Sequence, residues 1–319
     1  MNKFFYFIAA TLIAVSFASC EQNKPSQPKD DDDDSPKEPT YYHKDPVEGC
    51  LPGLFAVSET QQVYFSKGNL WYSKLNFDSR WEFAVQQYRV LGESNLDIAD
   101  MPSYSAIDLF NWNTANDPTR HEADDYVGDF EDWGDKPIYN GGNTEGLWRT
   151  LTGDEWLYLF HGRPNADKLF GHGCIAENEI DTVNGVFLFP DNWEEIKPEG
   201  FEFQSCADMG MVWGKQDGVV AEGYYQNIFF YGYRQNVYDM DMWQKLEELG
   251  VVFLPAAGLR TWKQDTYIVS LDFINTYGYY WSASAAGDRS AYNLLFAWFA
   301  LCPKAYNGPH YGCAVRLVR

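Results

Sequence analysis

Between Leu54 and Leu91 apolar side chains fall on every second position in short runs: Phe55 with Val57, Val63 with Phe65, Leu70 with Tyr72, Trp81 with Phe83. Period two is the signature of half-buried strands, and Lys67-Gly68-Asn69 and Asn76-Phe77-Asp78-Ser79 supply turn chemistry between them, so the stretch predicts an antiparallel meander. Helical spacing takes over at Trp156, Leu159 and Phe160, just after Thr152 and Glu155. A threonine followed three residues later by glutamate is a capping box, in which each side chain satisfies a free N–H at a helix start. A second helix is expected from about Asp241, with Met242, Leu246 and Leu249 on one stripe and Gly250 as a left-handed stop. Residues 251–254 follow as a buried strand. Residues 100–146 are dense in Asp, Asn, Gly and Pro with scattered rings, among them Trp112 and Trp133, and read as long loops pinned by buried aromatics. Two helices beside antiparallel sheets give an α+β fold.

The last forty-odd residues, 278–319, carry a different pattern. Tyr279-Tyr280-Trp281-Ser282-Ala283, then Ala291-Tyr292-Asn293-Leu294 with Phe296, and Val315-Arg316-Leu317-Val318 form an apolar, strand-like frame. Between these pieces lie Ala285-Ala286-Gly287-Asp288-Arg289-Ser290, Ala297-Trp298-Phe299-Ala300 and Tyr306-Asn307-Gly308-Pro309-His310-Tyr311, which no helix or strand period organises. In the strand from Tyr292, alternation sends Tyr292, Leu294 and Phe296 inward and Asn293, Leu295 and Ala297 outward.

This arrangement resembles the C-terminal region of C-type lectin-fold proteins of the formylglycine-generating-enzyme-like and Fibrobacter succinogenes major paralogous domain type. It is also similar to the variable region of diversity-generating retroelement target proteins, which end in a like frame and change the residues between its pieces. The likeness extends to Trp148-Arg149-Thr150-Leu151-Thr152-Gly153-Asp154-Glu155-Trp156 and to Phe253-Leu254-Pro255-Ala256-Ala257-Gly258, and so covers most of residues 47–319. It implies a C-type lectin-like fold for 47–319, with 278–319 as the candidate variable, ligand-binding region.

Ahead of that region, Lys3 and the apolar run from Phe4 to Phe17 read as an export signal, too short for a membrane span of about 20 apolar residues. The run ends at Phe17-Ala18-Ser19-Cys20, which resembles a bacterial lipoprotein processing box and makes residues 1–20 the signal and Cys20 the acylated residue. Phe17 departs from the aliphatic residue usual in such boxes, and an ordinary cleaved secretory signal is the alternative. Residues 21–46, rich in Pro, Lys, Ser and Gln with an aspartate run at 30–34, bury too little apolar surface to offset ordering entropy and read as a disordered tether. An acidic stretch behind a lipid anchor resembles the surface-export signal of lipoproteins in some Gram-negative gut bacteria; a solvated spacer is the competing reading. The expected location is the outer membrane, lipid-anchored and facing the exterior.

Composition narrows the partners. A net charge of −22 argues against nucleic acid, which needs lysine and arginine clusters, and against docking on anionic lipid. Aromatics make up 18% of the chain, enough to furnish both a core and a Tyr- and Trp-rich binding surface. Once Cys20 is set aside, Cys50, Cys174, Cys206, Cys302 and Cys313 are an odd set, so at least one thiol stays free. Cys302 and Cys313 lie in the C-terminal inserts and suit a framework bridge poorly, whereas Cys174 with Cys206 is compatible by loop size.

Catalytic and metal chemistry find little support. The formylglycine-generating type implies a close copper-binding cysteine pair, from which Cys302 and Cys313 depart in separation and setting. None of His43, His121, His161, His172 and His310 stands in the His-x-x-x-His-x-Glu motif of the related sulfoxide synthases. The Glu-Pro-Asn and Trp-Asn-Asp motifs of calcium-dependent lectins do not occur. The loop from Asp124 to Asp132 offers hard oxygen atoms without EF-hand spacing, and a solvated loop is the plainer reading. Gly141-Gly142-Asn143 is a turn, not a phosphate loop. The expectation is a non-enzymatic binding protein with no cofactor and no metal. Its contact set is Asp288, Arg289, Trp298, Tyr306, His310 and Tyr311, which mixes aromatic anchors with adaptable polar groups. Trp298 and Phe299 are either core or interface. The partner would be a protein or a glycan, and three readings stay open: a variable receptor or adhesin, a fixed glycan-binding or structural subunit, and an oxidase of the formylglycine-generating type.

Overall fold

A computed structural model describes residues 40–98, 100–121, 129–178, 181–214, 223–227, 232–263 and 268–319. The export signal, Cys20 and the tether up to residue 39 lie outside the described residues. No helix among those described is long and apolar enough to cross a membrane.

The expected meander is two separate hairpins. Cys50–Ala56 pairs with Gln62–Ser66, and Leu70–Leu75 pairs with Asp78–Phe83, both antiparallel, but the two pairs belong to different sheets. The inner strand of the first hairpin pairs with the chain's last strand, Leu317–Val318, which sits between Gln62–Ser66 and Arg149–Thr150. Leu70–Leu75 takes Ser105–Ile107 instead. A period-two pattern fixes which side chains share a face; it carries no information about which strand is the neighbour.

Of the remaining sheets, one orders Val237–Asp239, Phe170–Ala176, Thr182–Leu188 and Val252–Pro255, the first two parallel and the rest antiparallel. Another has five strands: Tyr277–Ala285, Ala291–Ala297, Ala300–Asn307, Tyr225–Asn227 and Met211–Trp213. Mixed sheets with few helices make the fold α+β.

Both expected helices form as their termini demand. Gly153–Leu157 starts on the capping box: Thr152 Oγ1 accepts from Glu155 N at 3.2 Å, and Glu155 Oε2 accepts from Thr152 N at 2.8 Å. Arg149 adds a two-pronged pair to the same carboxylate at 2.8 and 2.6 Å, so one glutamate ties the preceding strand to the helix. Trp156, Leu159 and Phe160 are buried as their spacing requires. The second helix, Met240–Glu248, is capped by Asp239. It ends with Gly250 at φ +86°, where Gly250 N donates to Glu247 O and Val251 N to Leu246 O, a Schellman stop. Its inward stripe is led by Trp243 and Leu246, with Met242 and Leu249 at the margin. A further single helical turn spans Trp193–Ile196.

Three apolar clusters fill the interior. The main one joins the first hairpin, the Gly153 helix and the five-stranded sheet through Phe55, Phe65, Trp156, Phe160, Tyr280 and Phe296. A second gathers Trp81, Phe110, Trp112, Trp133, Trp148 and Trp281, which buries the loop-rich stretch as its isolated rings suggest. The third lies between the Thr182–Leu188 and Val252–Pro255 strands and Trp243.

Candidate functional site

The five-stranded sheet is held between two of these clusters, and this sets the geometry of residues 278–319. Tyr280, Leu294 and Phe296 belong to the main cluster, whereas Tyr279, Trp281 and Ala291 belong to the second. Alternation along Ala291–Ala297 therefore holds for Leu294 and Phe296, but the supposed outer face of this strand meets a second core. Asn293 is fully buried rather than outward, and Ala297 is buried too; Leu295 is half-buried against the second cluster. Tyr292, expected inside, is half-buried at the helix start, where a Cβ on Gly153 would lie 3.1 Å from its own Cβ. Asn293 carries the cost of this arrangement: its amide is fully buried with only the weakly bonding Cys313 thiol beside it, and no N or O partner reaches either amide atom.

The frame residues are fixed by long-range bonds. Trp281 Nε1 donates to Phe110 O at 2.7 Å, and Tyr280 Oη donates to Pro255 O at 2.8 Å. Arg316 is fully buried, its Nη2 donating to Gln87 Oε1 at 2.5 Å, and burial lowers its pKa to about 10. Gln87 in turn accepts from Phe253 N and donates to Val251 O. Gly278 is required by packing, since a Cβ there would stand 2.1 Å from the Phe296 ring.

The six expected contact residues do not form one patch. Asp288 and Arg289 are exposed in the 286–290 loop, closed by Ala286 N donating to Ser290 O at 2.7 Å. Tyr306 pairs across the ladder with Tyr292 at this same end, and His310 and Tyr311 follow in the turn after Asn307, their rings 4.5 Å apart. Lys304 bridges to Asp154 at 2.5 Å and lies 4.8 Å from the Tyr292 ring centroid, so the helix start closes one flank. Burial pushes the Tyr306 phenol pKa up, with Tyr292 adding to the shift.

Trp298 stands apart. It occupies the turn between Ala291–Ala297 and Ala300–Asn307, at the far end of a seven-residue strand, about 20 Å from the loop holding Asp288. Both Trp298 and Phe299 are half-buried, and Trp298 packs against the main cluster. Beneath this turn lies His172, fully buried among Tyr233 and Phe296 with Nε2 lacking a partner. Burial draws its pKa down to about 4, against an opposing pull from the Ala300 and Ala297 backbone.

No protein-family model, curated protein or solved structure matches the chain.

The cysteines do not follow the one suggested pairing. All five described cysteines are free thiols. Cys206 N bonds to Phe170 O while Cys174 N bonds to Asn236 O, four residues further along the Phe170–Ala176 strand, which sets Cys174 and Cys206 about 13 Å apart along it. Cys302 and Cys313 occupy different surroundings. Cys302 Sγ is 3.7 Å from Gly223 O, with its pKa raised by burial to about 11; Cys313 is fully buried beside Arg260, and burial pushes it well above the ordinary thiol value. Such thiols are poor nucleophiles and poor metal ligands at neutral pH.

Part of the acidic loop, 124–128, lies outside the described residues. Of its described members, Asp132 is spent on structure, accepting from Thr150 N, Thr150 Oγ1 and Gly134 N. Among the described residues no group of three His, Cys, Asp or Glu side chains could hold a metal ion.

A cleft of about 350 Å³, mostly apolar in surface with several polar groups, opens beside Trp298, lined also by Thr182, Asn184, Tyr233, Arg234 and Asn275. Sequence reasoning singles out only Trp298 of these. The others come from three separated segments, and no local pattern joins them.

Proposed function

We propose that the chain is a surface-anchored, non-enzymatic ligand-binding protein, a receptor or adhesin, that binds through residues 278–319 of a C-type lectin-like fold. The observation that carries this reading is the division inside that segment. Frame residues Tyr280, Trp281, Leu294, Phe296, Val315 and Leu317 are buried, while Asp288 and Arg289 are exposed and Trp298, Tyr306, His310 and Tyr311 are half-exposed. The exposed side chains on the inserts can then be exchanged at little cost to the core, which a variable contact surface needs. A Tyr-, His- and Asp-containing rim on a rigid sheet also has the composition of paratope-like surfaces.

A second reading, a fixed glycan-binding or adhesion subunit, draws on the tethering of several side chains of the same segment. Lys304 is committed to Asp154, and Trp298 and Tyr311 pack against the interior. The two readings differ in one observable. Codons for residues 278–319, sequenced across a population grown from one cell, change at insert positions in the first and stay constant in the second.

Binding itself is tested on glycan and protein microarrays with the intact chain and an Asp288→Ala, Arg289→Ala, Tyr306→Ala triple variant. Selective capture that the triple variant loses, with its melting transition unmoved, supports the reading. Absence of selective capture, or capture that the triple variant retains, overturns it.

A further inference from the structure

We infer that the cleft beside Trp298 is a subsite for a carboxylate-bearing sugar, a uronic or sialic acid residue at the end of a glycan. This rests on the ligand-binding reading of residues 278–319 and adds to it a second contact region and a ligand class.

The cleft has the size and rigidity of a small-molecule site. Its volume, about 350 Å³, falls at the lower end of the range for ligand pockets, room for one substituted pyranose. Its wall is braced before any ligand arrives. Asn275, held at φ +58°, accepts from Asn184 N at 2.7 Å through Oδ1 and donates to Thr182 O at 2.9 Å through Nδ2. Asn184 Nδ2 donates back to Asn275 O at 2.8 Å, and Tyr233 Oη donates to Thr276 O at 2.8 Å. A wall fixed by its own hydrogen bonds loses little freedom when a ligand binds. Those bonds use neither the Thr182 hydroxyl nor the Asn184 amide oxygen.

The chemistry of the lining selects among ligands. Trp298 gives a half-exposed indole whose other side is seated on the main core, a rigid apolar platform for the C–H face of a sugar ring. Thr182 and Asn184 suit hydroxyls. Arg234 is the charged member among the described lining residues, and no carboxylate accompanies it there. In a chain with 46 acidic and 24 basic side chains, a lining whose described residues include a guanidinium and no carboxylate favours an anionic group on the ligand. A guanidinium grips a planar carboxylate through two parallel N–H···O bonds, which a neutral hexose cannot offer. A peptide carboxylate would satisfy Arg234 and leave Thr182 and Asn184 without matching hydroxyls.

The test titrates the chain with methyl glucuronoside and methyl sialoside, with methyl glucoside as neutral control and an acetylated dipeptide as the non-sugar acid, followed by ligand-detected NMR and calorimetry. Saturable binding of one sugar acid is expected, at least ten-fold tighter than that of the glucoside or the dipeptide. Arg234→Gln should weaken it ten-fold or more, and Trp298→Ala should remove it. Trp298→Phe, which keeps a ring, should retain part of it and guards against misfolding of the alanine variant. Phe77→Ala, in the exposed turn between Leu70–Leu75 and Asp78–Phe83 of a different sheet, should leave it unchanged. No saturable binding of either acid, equal binding of the glucoside or dipeptide, or indifference to Arg234→Gln overturns the assignment. Array capture lost in the Asp288, Arg289, Tyr306 triple variant but intact in Arg234→Gln would sink this subsite alone and leave the broader binding reading standing.

Discussion

Trp281 and Trp298 lie in the same C-terminal segment, on neighbouring strands' worth of chain, yet their surroundings differ completely. Trp281 is fully buried in the second core cluster with its indole N–H bonded to Phe110 O; Trp298 sits in a hairpin turn, half-exposed, with one side on the main core and the other on the cleft. The same contrast separates the frame from the inserts as a whole. Stability is concentrated in the frame because its strands are the partition between two cores, so frame side chains pack on both faces and Tyr280, Trp281 and Arg316 add long-range bonds. The inserts join those strands at their tips, where substitution can alter the surface without opening the interior.

The largest effect should come from the frame. Trp281→Ala removes a fully buried ring and leaves Phe110 O without its donor, a combination expected to cost about 3–5 kcal/mol. Urea unfolding followed by circular dichroism would measure it. A loss under about 1 kcal/mol would mean that the segment is not partitioned as described.

Next comes acid sensitivity centred on His172. Burial holds its folded-state pKa at about 4, below the ordinary histidine value of 6.5, so the unfolded chain binds the extra proton over that interval. Its contribution to stability is therefore fully present above about pH 6.5 and is lost as pH falls toward 4, by about 3 kcal/mol over the window. His172→Phe should flatten that portion of the stability profile. An unchanged profile in the variant would show that the titration belongs to other groups. Since His172 lies beneath the Trp298 turn, the same acid interval should loosen this end of the sheet before the end that carries Asp288.

Trp298→Ala should fall between the extremes, about 1–2 kcal/mol, because part of the ring is already in water. Thermal melting of this variant beside Trp281→Ala compares the two tryptophans directly. Equal losses would place Trp298 with the frame and weaken its role as a contact residue.

How far these differences were readable from sequence depends on the range of the information. The capping box at Thr152 and Glu155 and the left-handed stop at Gly250 are local devices, encoded by residues a few positions apart, and both formed as read. The inward faces of the strands were legible for the same reason. Strand partners were not: Leu317–Val318 enters the sheet beside Gln62–Ser66, a pairing across most of the chain that no alternation pattern specifies. The burial of Asn293 was missed because a polar residue at an alternate position normally marks a solvent face, and here the sheet has a core on both sides. Arg316 stands within an apolar run of the frame, but the partners that allow its burial, Gln87 and Asn69, lie more than two hundred positions away and are not signalled by that run. The cleft beside Trp298 is the extreme case, since its polar wall is assembled from the 182–184, 233–234 and 275–276 segments.

The smallest stability effect is expected where the inserts are most exposed, and it gives the finest test of the division. Asp288 and Arg289 lie in a loop whose backbone is closed by Ala286 N and Ser290 O, a bond that survives replacement of either side chain. Double substitution to alanine should leave the melting transition where it is, while selective array capture falls, because the loop borders Tyr306 and the His310–Tyr311 turn at one end of the sheet. Differential scanning fluorimetry and array binding on the same preparation read the two quantities together. Should the double variant melt several degrees lower, the 286–290 loop belongs to the frame, and the contact surface begins only at Tyr306. Should melting and capture both stay unchanged, the loop takes no part in contact, and the triple variant that also removes Tyr306 decides whether this end of the sheet binds at all.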